Sequence, residues 1–253
     1  MKILVIKCLI DNYSYIIYNE KTLMAAVIDP SEADPIIHEI KKNKLNLKYI
    51  LNTHHHFDHV GGNSKLKKKY KCKVVGYGKD KDRIPEIDIS LKDEQKWKNE
   101  LFECEILHVP GHTSGHICIY IKEINALFTG DTLFSLGCGR IFEGTYNEMF
   151  HSLNKIKNFP KNTKIYCGHE YTEKNSDFCL SLDSNNPKLI NKINKIKNYI
   201  QNDKPTIPST LGDELECNIF LRFDNVEIQK QLGINSGDQI ETFAKLRDLK
   251  DNF

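Results

Sequence analysis

The chain has 253 residues, a formal net charge of +2 and 8 cysteines. That length fits one large domain or a medium domain with a smaller one, and it allows a sizeable core. The near-balanced charge gives no basis for a nucleic-acid partner, and no segment has the apolar length needed to cross a membrane.

Along the chain, residues 1–7, 13–18 and 24–29 read as strands rich in Ile, Val and Tyr. The opening run Met1 to Ile6 is interrupted by Lys7 and Asp11, and no small-residue cleavage site follows, so it reads as a first strand rather than a signal segment. Asn19-Glu20-Lys21 predicts a hairpin turn. Asp34-Pro35 opens a helix with Ile36, Ile37 and Ile40 on one face. A strand at 48–52 follows, then Gly61-Gly62 and a helix through 64–70. The lysines between Lys65 and Lys73 read as a solvated helix face rather than a phosphate site. Strand-like runs recur at 73–76, 102–109, 117–121, 125–129 and 164–167. Thr145-x-x-Glu148 is a capping-box pattern ahead of Met149, Phe150, Leu153 and Ile156. From about 173 the texture turns helical. Leu189, Ile193, Ile196 and Ile200 mark one amphipathic helix, Pro205 to Ser209 a linker, and 238–250 a further helix. The expectation is an α/β domain over 1–172 and an all-α domain over 173–253. The cysteines are scattered with no C-x-x-C pair, as in a cytoplasmic protein with reduced thiols.

The segment with most chemistry is Thr53-His54-His55-His56-Phe57-Asp58-His59. Read as H-x-H-x-D-H, it offers His54, His56, Asp58 and His59 as metal ligands, with His55 pointing away if the chain is extended. Three later segments repeat one arrangement: an apolar strand, a glycine, then a metal-competent side chain. They end in Gly111-His112, Gly130-Asp131 and Gly168-His169. Singly, each is more often a turn. Together they suggest strand ends converging on one cavity. Seven side chains are too many for one ion but suit two ions sharing a carboxylate, with Asp131 the natural bridge. Zinc, iron and manganese all accept such donors. His116 reads as a structural or supporting hydrogen-bond partner, His108 and His55 as non-ligands, and His38 and His151 as ordinary helix residues.

The order of these motifs resembles the metallo-β-lactamase superfamily, and within it the glyoxalase II (hydroxyacylglutathione hydrolase) family. The resemblance spans nearly the whole chain, including Gly61-Gly62-Asn63, Pro110 to His116, Phe128 to Phe134 and Tyr166 to Thr172. It implies an αββα sandwich with a C-terminal helical substrate-binding domain. It also implies that His54, His56 and His112 hold one ion, Asp58, His59 and His169 the other, and Asp131 both. The ions would be two divalent metals, zinc first, with iron or manganese possible. The implied reaction is hydrolysis of S-(2-hydroxyacyl)glutathione thioesters, S-D-lactoylglutathione first. A bridging water with its pKa lowered from roughly 15.7 toward about 7 would be the nucleophile. Asp58 would orient it as well as bind metal.

Glutathione carries carboxylates, and the resemblance assigns its recognition to Arg140, Arg247 and Lys250, with Tyr171 bonding the ligand backbone. Arg247 and Lys250 lie three apart on one helical face. Arg140 stands where many relatives have lysine, which keeps the charge and changes its geometry. Phe142 stands where relatives often have tyrosine, so one substrate hydrogen bond is lost. The rival readings are a mononuclear-iron persulfide dioxygenase of the same superfamily, a β-lactamase or lactonase, a nucleic-acid-processing relative and a non-catalytic glutathione-conjugate binder. The helical C-terminus and the full ligand set favour the hydrolase, as a monomer or weak homodimer. There is no Gly-x-Ser-x-Gly elbow for a serine thioesterase.

Overall fold

The apolar runs at the start of the chain pair as β1 (Lys2–Cys8), β2 (Asn12–Tyr18) and β3 (Met24–Ile28), an antiparallel meander. Asn19 makes the turn between the second and third strands, its side-chain oxygen accepting from the amides of Lys21 and Thr22. The computed structural model describes residues 1–235 and 237–253. It falls into two units, one of Met1–His108 with Gly115–Gly130, the other of Val109–Ser114 with Asp131–Phe253.

In the first unit, α1 (Ala33–Lys42) crosses to β4 (Asn46–Leu51), which lies parallel to β3. α2 (Phe57–Val60) and α3 (Asn63–Tyr70) lead to β5 (Lys73–Tyr77) and then β6 (Ile87–Leu91), both continuing the parallel half of the sheet. The sheet order follows the chain, β1 to β6. β7 (Lys96–Lys98), β8 (Glu103–His108), β9 (Ile117–Ile121) and β10 (Ala126–Gly130) form an antiparallel second sheet.

Alternation along the strands sends Ile16, Val27, Ile50 and Val74 into one core with Ile36 and Ile40 of α1 and Leu66 of α3. Ile37 packs against its edge, as the helix pattern predicts. Tyr15, on the other side of β2, sets its ring against Phe128 of β10 at 5.3 Å, and Tyr49 meets Trp97 at 5.2 Å. With both faces covered, the strands are near-continuous apolar runs. The lysines of α3 lie on its outer face. Lys65 pairs with Asp34 at 2.6 Å and Lys67 with Asp88 at 2.9 Å.

The second unit begins its own structure with the hairpin of β11 (Leu133–Phe134) and β12 (Gly137–Cys138). α4 (Tyr146–Lys157) starts in a full capping box: Thr145 Oγ1 accepts from the Glu148 amide at 3.2 Å, and the Glu148 carboxylate accepts from the Thr145 amide at 2.8 Å. β13 (Lys164–Cys167), α5 (Thr172–Leu182), α6 (Pro187–Gln201), β14 (Ser209–Thr210), α7 (Leu211–Cys217), α8 (Val226–Gln231) and α9 (Gln239–Asp251) follow. Phe150 of α4 lies 4.6 Å from Phe223, and Phe220 lies 6.3 Å from Phe243 of α9, giving the helices an aromatic core. Leu189, Ile193 and Ile196 are buried in α6, whereas Ile200 in its last turn is exposed.

Glu214 of this unit is fully buried. It accepts from the Leu136 amide at 2.7 Å and from the Asn218 side chain at 3.0 Å, and is also held by Lys192 and Ser209. These partners tie β14, α6, α7 and the β11–β12 turn together. Among the described residues no helix is long and apolar enough to cross a membrane.

Candidate metal centre

In the first unit, β4 ends at Leu51 and the chain turns into α2 through the histidine tract. Asn52 stabilises this turn by donating to the carbonyl of His59 at 2.9 Å, and Asn63 donates to Asn52 at 2.8 Å. His54 and His59 are buried, while His56 and Asp58 are half-buried.

The back of the tract is anchored on Asp29, a 2% exposed residue at the end of β3 that the strand-end pattern did not single out. Asp29 Oδ1 accepts from the Thr53 amide at 2.8 Å. Its Oδ2 accepts from the Thr53 hydroxyl at 2.6 Å and lies 3.0 Å from His59 Nδ1. Because the Thr53 hydroxyl hydrogen is used on Asp29, its oxygen is left to accept from His54 Nδ1, 3.0 Å away. Both imidazoles therefore carry their proton on Nδ1 and present Nε2 as a lone pair. Asp29, His54 and His59 have donor atoms within 4.8 Å of one another. Asp29, however, meets His59 at Nδ1 and reaches His54 Nδ1 only through the Thr53 hydroxyl, which makes it an orienting group rather than a ligand. The signal for it was available: Val27-Ile28-Asp29 is an apolar strand followed by an acid, lacking only the glycine.

On the front side, His54 Nε2 lies 3.1 Å from His56 Nδ1, and His59 Nε2 lies 3.7 Å from Asp58 Oδ2. Asn12, at the start of β2, donates to Asp58 Oδ2 at 3.0 Å and to the Asp58 carbonyl at 3.1 Å. His55 turns aside, its Nδ1 3.5 Å from the buried Asp80. His116 stacks on His54 at 4.7 Å with the rings 21° apart. Gly130 sits at φ +45°, and a Cβ there would come within 2.5 Å of Thr53 Oγ1 and 2.7 Å of His116 Nε2. Only glycine permits this strand end.

The second unit holds a second donor group. His112 Nε2 lies 3.5 Å from Asp131 Oδ2, and His169 Nε2 lies 3.3 Å from the same oxygen. All three side chains are buried. His112 Nδ1 is 2.8 Å from the Arg140 carbonyl, which can only accept, so its Nε2 again carries the lone pair. Gly111 takes φ +149° against Met149 of α4, the sharp turn expected before His112, whereas Gly168 is not among the positive-φ glycines. Tyr171 stacks flat on His169 at 4.7 Å and meets Phe134 edge-on at 5.3 Å.

The other sequence-predicted residues of this unit lie as follows. Phe142 is exposed, its ring 5.2 Å from His112. Arg140 Nε lies 3.3 Å from Asp251 Oδ1, and Arg247 Nη2 donates to that same oxygen at 2.9 Å. Arg247 is buried, donates through Nη1 to the Cys138 carbonyl at 2.7 Å and covers the Phe220 ring at 5.1 Å. Lys250 donates to the Lys174 carbonyl at 3.0 Å between the rings of Phe178 and Phe253, and burial lowers its pKa. Arg247 and Lys250 thus share a helix but use different partners.

Neutral imidazoles with lone pairs fixed by backside hydrogen bonds, beside carboxylates, are a donor set for divalent zinc, iron or manganese. The thiols contribute nothing to it. All eight cysteines are buried and none is in a disulfide, and burial pushes Cys104, Cys167 and Cys179 up to about 12.

The fold and these donors define a member of the metallo-β-lactamase superfamily. That superfamily's model matches residues 10–169, and a second model, Hydroxyacylglutathione hydrolase C-terminus, matches residues 170–253. Among solved structures, the B3 metallo-beta-lactamase BLEG-1 is similar with a TM-score of 0.69 at 23% identity, over 87% of this chain and 99% of that one. ETHE1 from Myxococcus xanthus is similar with a TM-score of 0.67 at 19% identity, over 99% and 100%. Both share the mixed α/β fold. The hydroxyacylglutathione hydrolase of Pelagibacter ubique is 56% identical over all of both chains, and that of Methylococcus capsulatus is 40% identical over 100% of this chain and 99% of its own. The chain belongs to the hydroxyacylglutathione hydrolase family.

Proposed function

We propose that the chain hydrolyses S-(2-hydroxyacyl)glutathione thioesters, chiefly S-D-lactoylglutathione, to the hydroxy acid and glutathione. The observation that carries this is the backside anchoring of His54, His59 and His112, which fixes three Nε2 lone pairs among carboxylates. We assign two divalent ions, zinc first, one to His54, His56 and His112 and the other to Asp58, His59 and His169, with Asp131 shared. Residues 1–172 are the catalytic domain in this reading and 173–253 the substrate-binding domain.

When bound, the ions supply Lewis acidity that lowers the pKa of water and polarises the thioester carbonyl. The chain's own residues do the rest. Asp58, held by Asn12, orients the attacking water as well as ligating. Asp131 keeps two imidazoles within 3.5 Å of one carboxylate oxygen. Arg140, Arg247 and Lys250 attract the carboxylates of glutathione. Tyr171, braced flat on His169, bonds the peptide backbone of the ligand, and Phe142 supplies an apolar wall. The departing thiol has an ordinary pKa of about 8.5, so it leaves as thiolate with no general acid.

Eight buried thiols outside any disulfide suit a reducing cytoplasm, where we place the enzyme as a monomer or weak homodimer. The test is loss of thioester absorbance with S-D-lactoylglutathione in metal-replete protein. Turnover is expected to fall by more than about a hundredfold in Asp131→Ala. No turnover in the intact chain sinks the assignment and leaves oxygen-dependent persulfide chemistry as the next reaction to assay.

A further inference from the structure

Helix α9 ends on an acid where the helix field favours a base. Asp251 is its last residue, beside carbonyls that carry the negative end of the helix dipole. Its Oδ1 accepts from Arg247 Nη2 at 2.9 Å and lies 3.3 Å from Arg140 Nε. One oxygen therefore holds two guanidinium groups from separate parts of the sequence.

The Arg247 guanidinium does not depend on that oxygen for its place, and neither does the backbone of Arg140. Arg247 is fixed by the Cys138 carbonyl and the Phe220 ring. The backbone of Arg140 is fixed by His112, whose ring bonds its carbonyl. Arg247 is also only 3% exposed, yet its Nε has no hydrogen-bond partner among the described residues. The arginine pair thus retains unused donor capacity. Its outer member, Arg140, has a side chain 61% exposed to water, and the Asp251 side chain is 36% exposed. The pair has the form of a carboxylate receptor, anchored inside, open outside and already filled by a carboxylate of the chain.

We propose that Asp251 is an internal competitor for the carboxylate of the ligand. It occupies Arg140 and Arg247 in the free protein, yields them when a ligand carboxylate enters and reclaims them as product leaves. Asp251 is then a specificity-determining residue. It raises the dissociation constant for every carboxylate-bearing ligand and leaves ligands without a carboxylate untouched. This rests on the assignment of Arg140 and Arg247 to glutathione recognition made above.

The experiment is calorimetric titration with S-methylglutathione, a thioether that cannot be hydrolysed, and with its carboxylate diester. The wild-type protein is compared with Asp251→Asn and Asp251→Ala, all with matched metal content. Both variants are expected to bind the free acid about two- to fivefold more tightly at low salt, as for a partly exposed charge pair, with the gain shrinking as salt is added. Neither should gain on the diester. Equal or weaker binding of the free acid by the variants, a gain in only one of them, or an equal gain on the diester overturns the proposal while the hydrolase assignment stands. If the wild-type protein binds neither probe, the assignment itself falls and the proposal with it.

Discussion

Replacing Asp29 by asparagine separates metal positioning from folding. The carboxylate serves three donors: the Thr53 amide at 2.8 Å, the Thr53 hydroxyl at 2.6 Å and His59 Nδ1 at 3.0 Å. An asparagine has one acceptor. Its oxygen does best facing the hydroxyl and the imidazole, which turns the NH2 group onto the Thr53 amide. One charge-assisted bond becomes a donor–donor contact, and the other two lose their charge. With charge-assisted bonds at about 1.5–3 kcal/mol and neutral ones at about 0.5–1.5 kcal/mol, the loss comes to about 3.5–6 kcal/mol. The orientation of His54 and His59 is loosened in the same stroke, so metal affinity is expected to fall about 10–100-fold. Urea unfolding of metal-free protein reads the first quantity, and competition against a chromophoric zinc chelator reads the second. A variant that keeps metal affinity within twofold of wild type would refute the orienting role, whatever its stability.

Three further outcomes follow from the geometry. Glu214→Ala leaves the half-buried ammonium of Lys192 without its carboxylate and should cost about 3–5 kcal/mol in urea unfolding, with an unchanged midpoint contradicting the buried-pair argument. Phe142→Tyr returns a hydroxyl near His112 and should lower KM for the thioester by up to about tenfold, the worth of one neutral hydrogen bond, with kcat little altered. Above about pH 9 the protein should lose stability steeply. Burial pushes Cys72 and Cys217 up to about 11, and Cys104, Cys167 and Cys179 up to about 12, from an ordinary value of 9.0. The folded state holds these protons more tightly, so that stability is complete below pH 9 and drains away as pH rises toward the folded values. Unfolding midpoints that stay flat from pH 8 to pH 10.5 would contradict it.

The parts of the candidate site legible in the sequence were those encoded locally. His54, His56, Asp58 and His59 lie on one short turn, and His112, Asp131 and His169 each follow a strand and a glycine. The α/β character, the capping box at Thr145 and the buried stripes of α1 and α6 were equally readable, because period and cap chemistry are properties of contiguous residues. Asp29 escaped because its partners are Thr53 and His59, brought to it by the pairing of β3 with β4. The two-residue strands β11, β12 and β14 are too short to show a period. β7 is an edge strand of two lysines around Trp97, whose polarity hides it. Asp251 reads as an ordinary helix-surface acid until Arg140 and Arg247 are placed beside it. Ile200 obeys the helical period yet is exposed, since period alone does not say where the covering layer stops.

The segment Val109–Ser114 belongs to the second unit although residues on both sides of it belong to the first. Gly144 donates to the Gly111 carbonyl at 3.1 Å, and Ser152 donates to the Pro110 carbonyl at 2.7 Å. Ser114 is held by Glu143 at 2.8 Å. A ribosome translating this chain therefore releases His112 well before the residues that hold it exist. The ring of that histidine gains the Arg140 carbonyl, and its segment the Ser152 hydroxyl of α4, only after the chain of the first unit is complete. For the same reason Gly130 is no place to cut: a fragment ending there carries six residues whose packing partners it lacks.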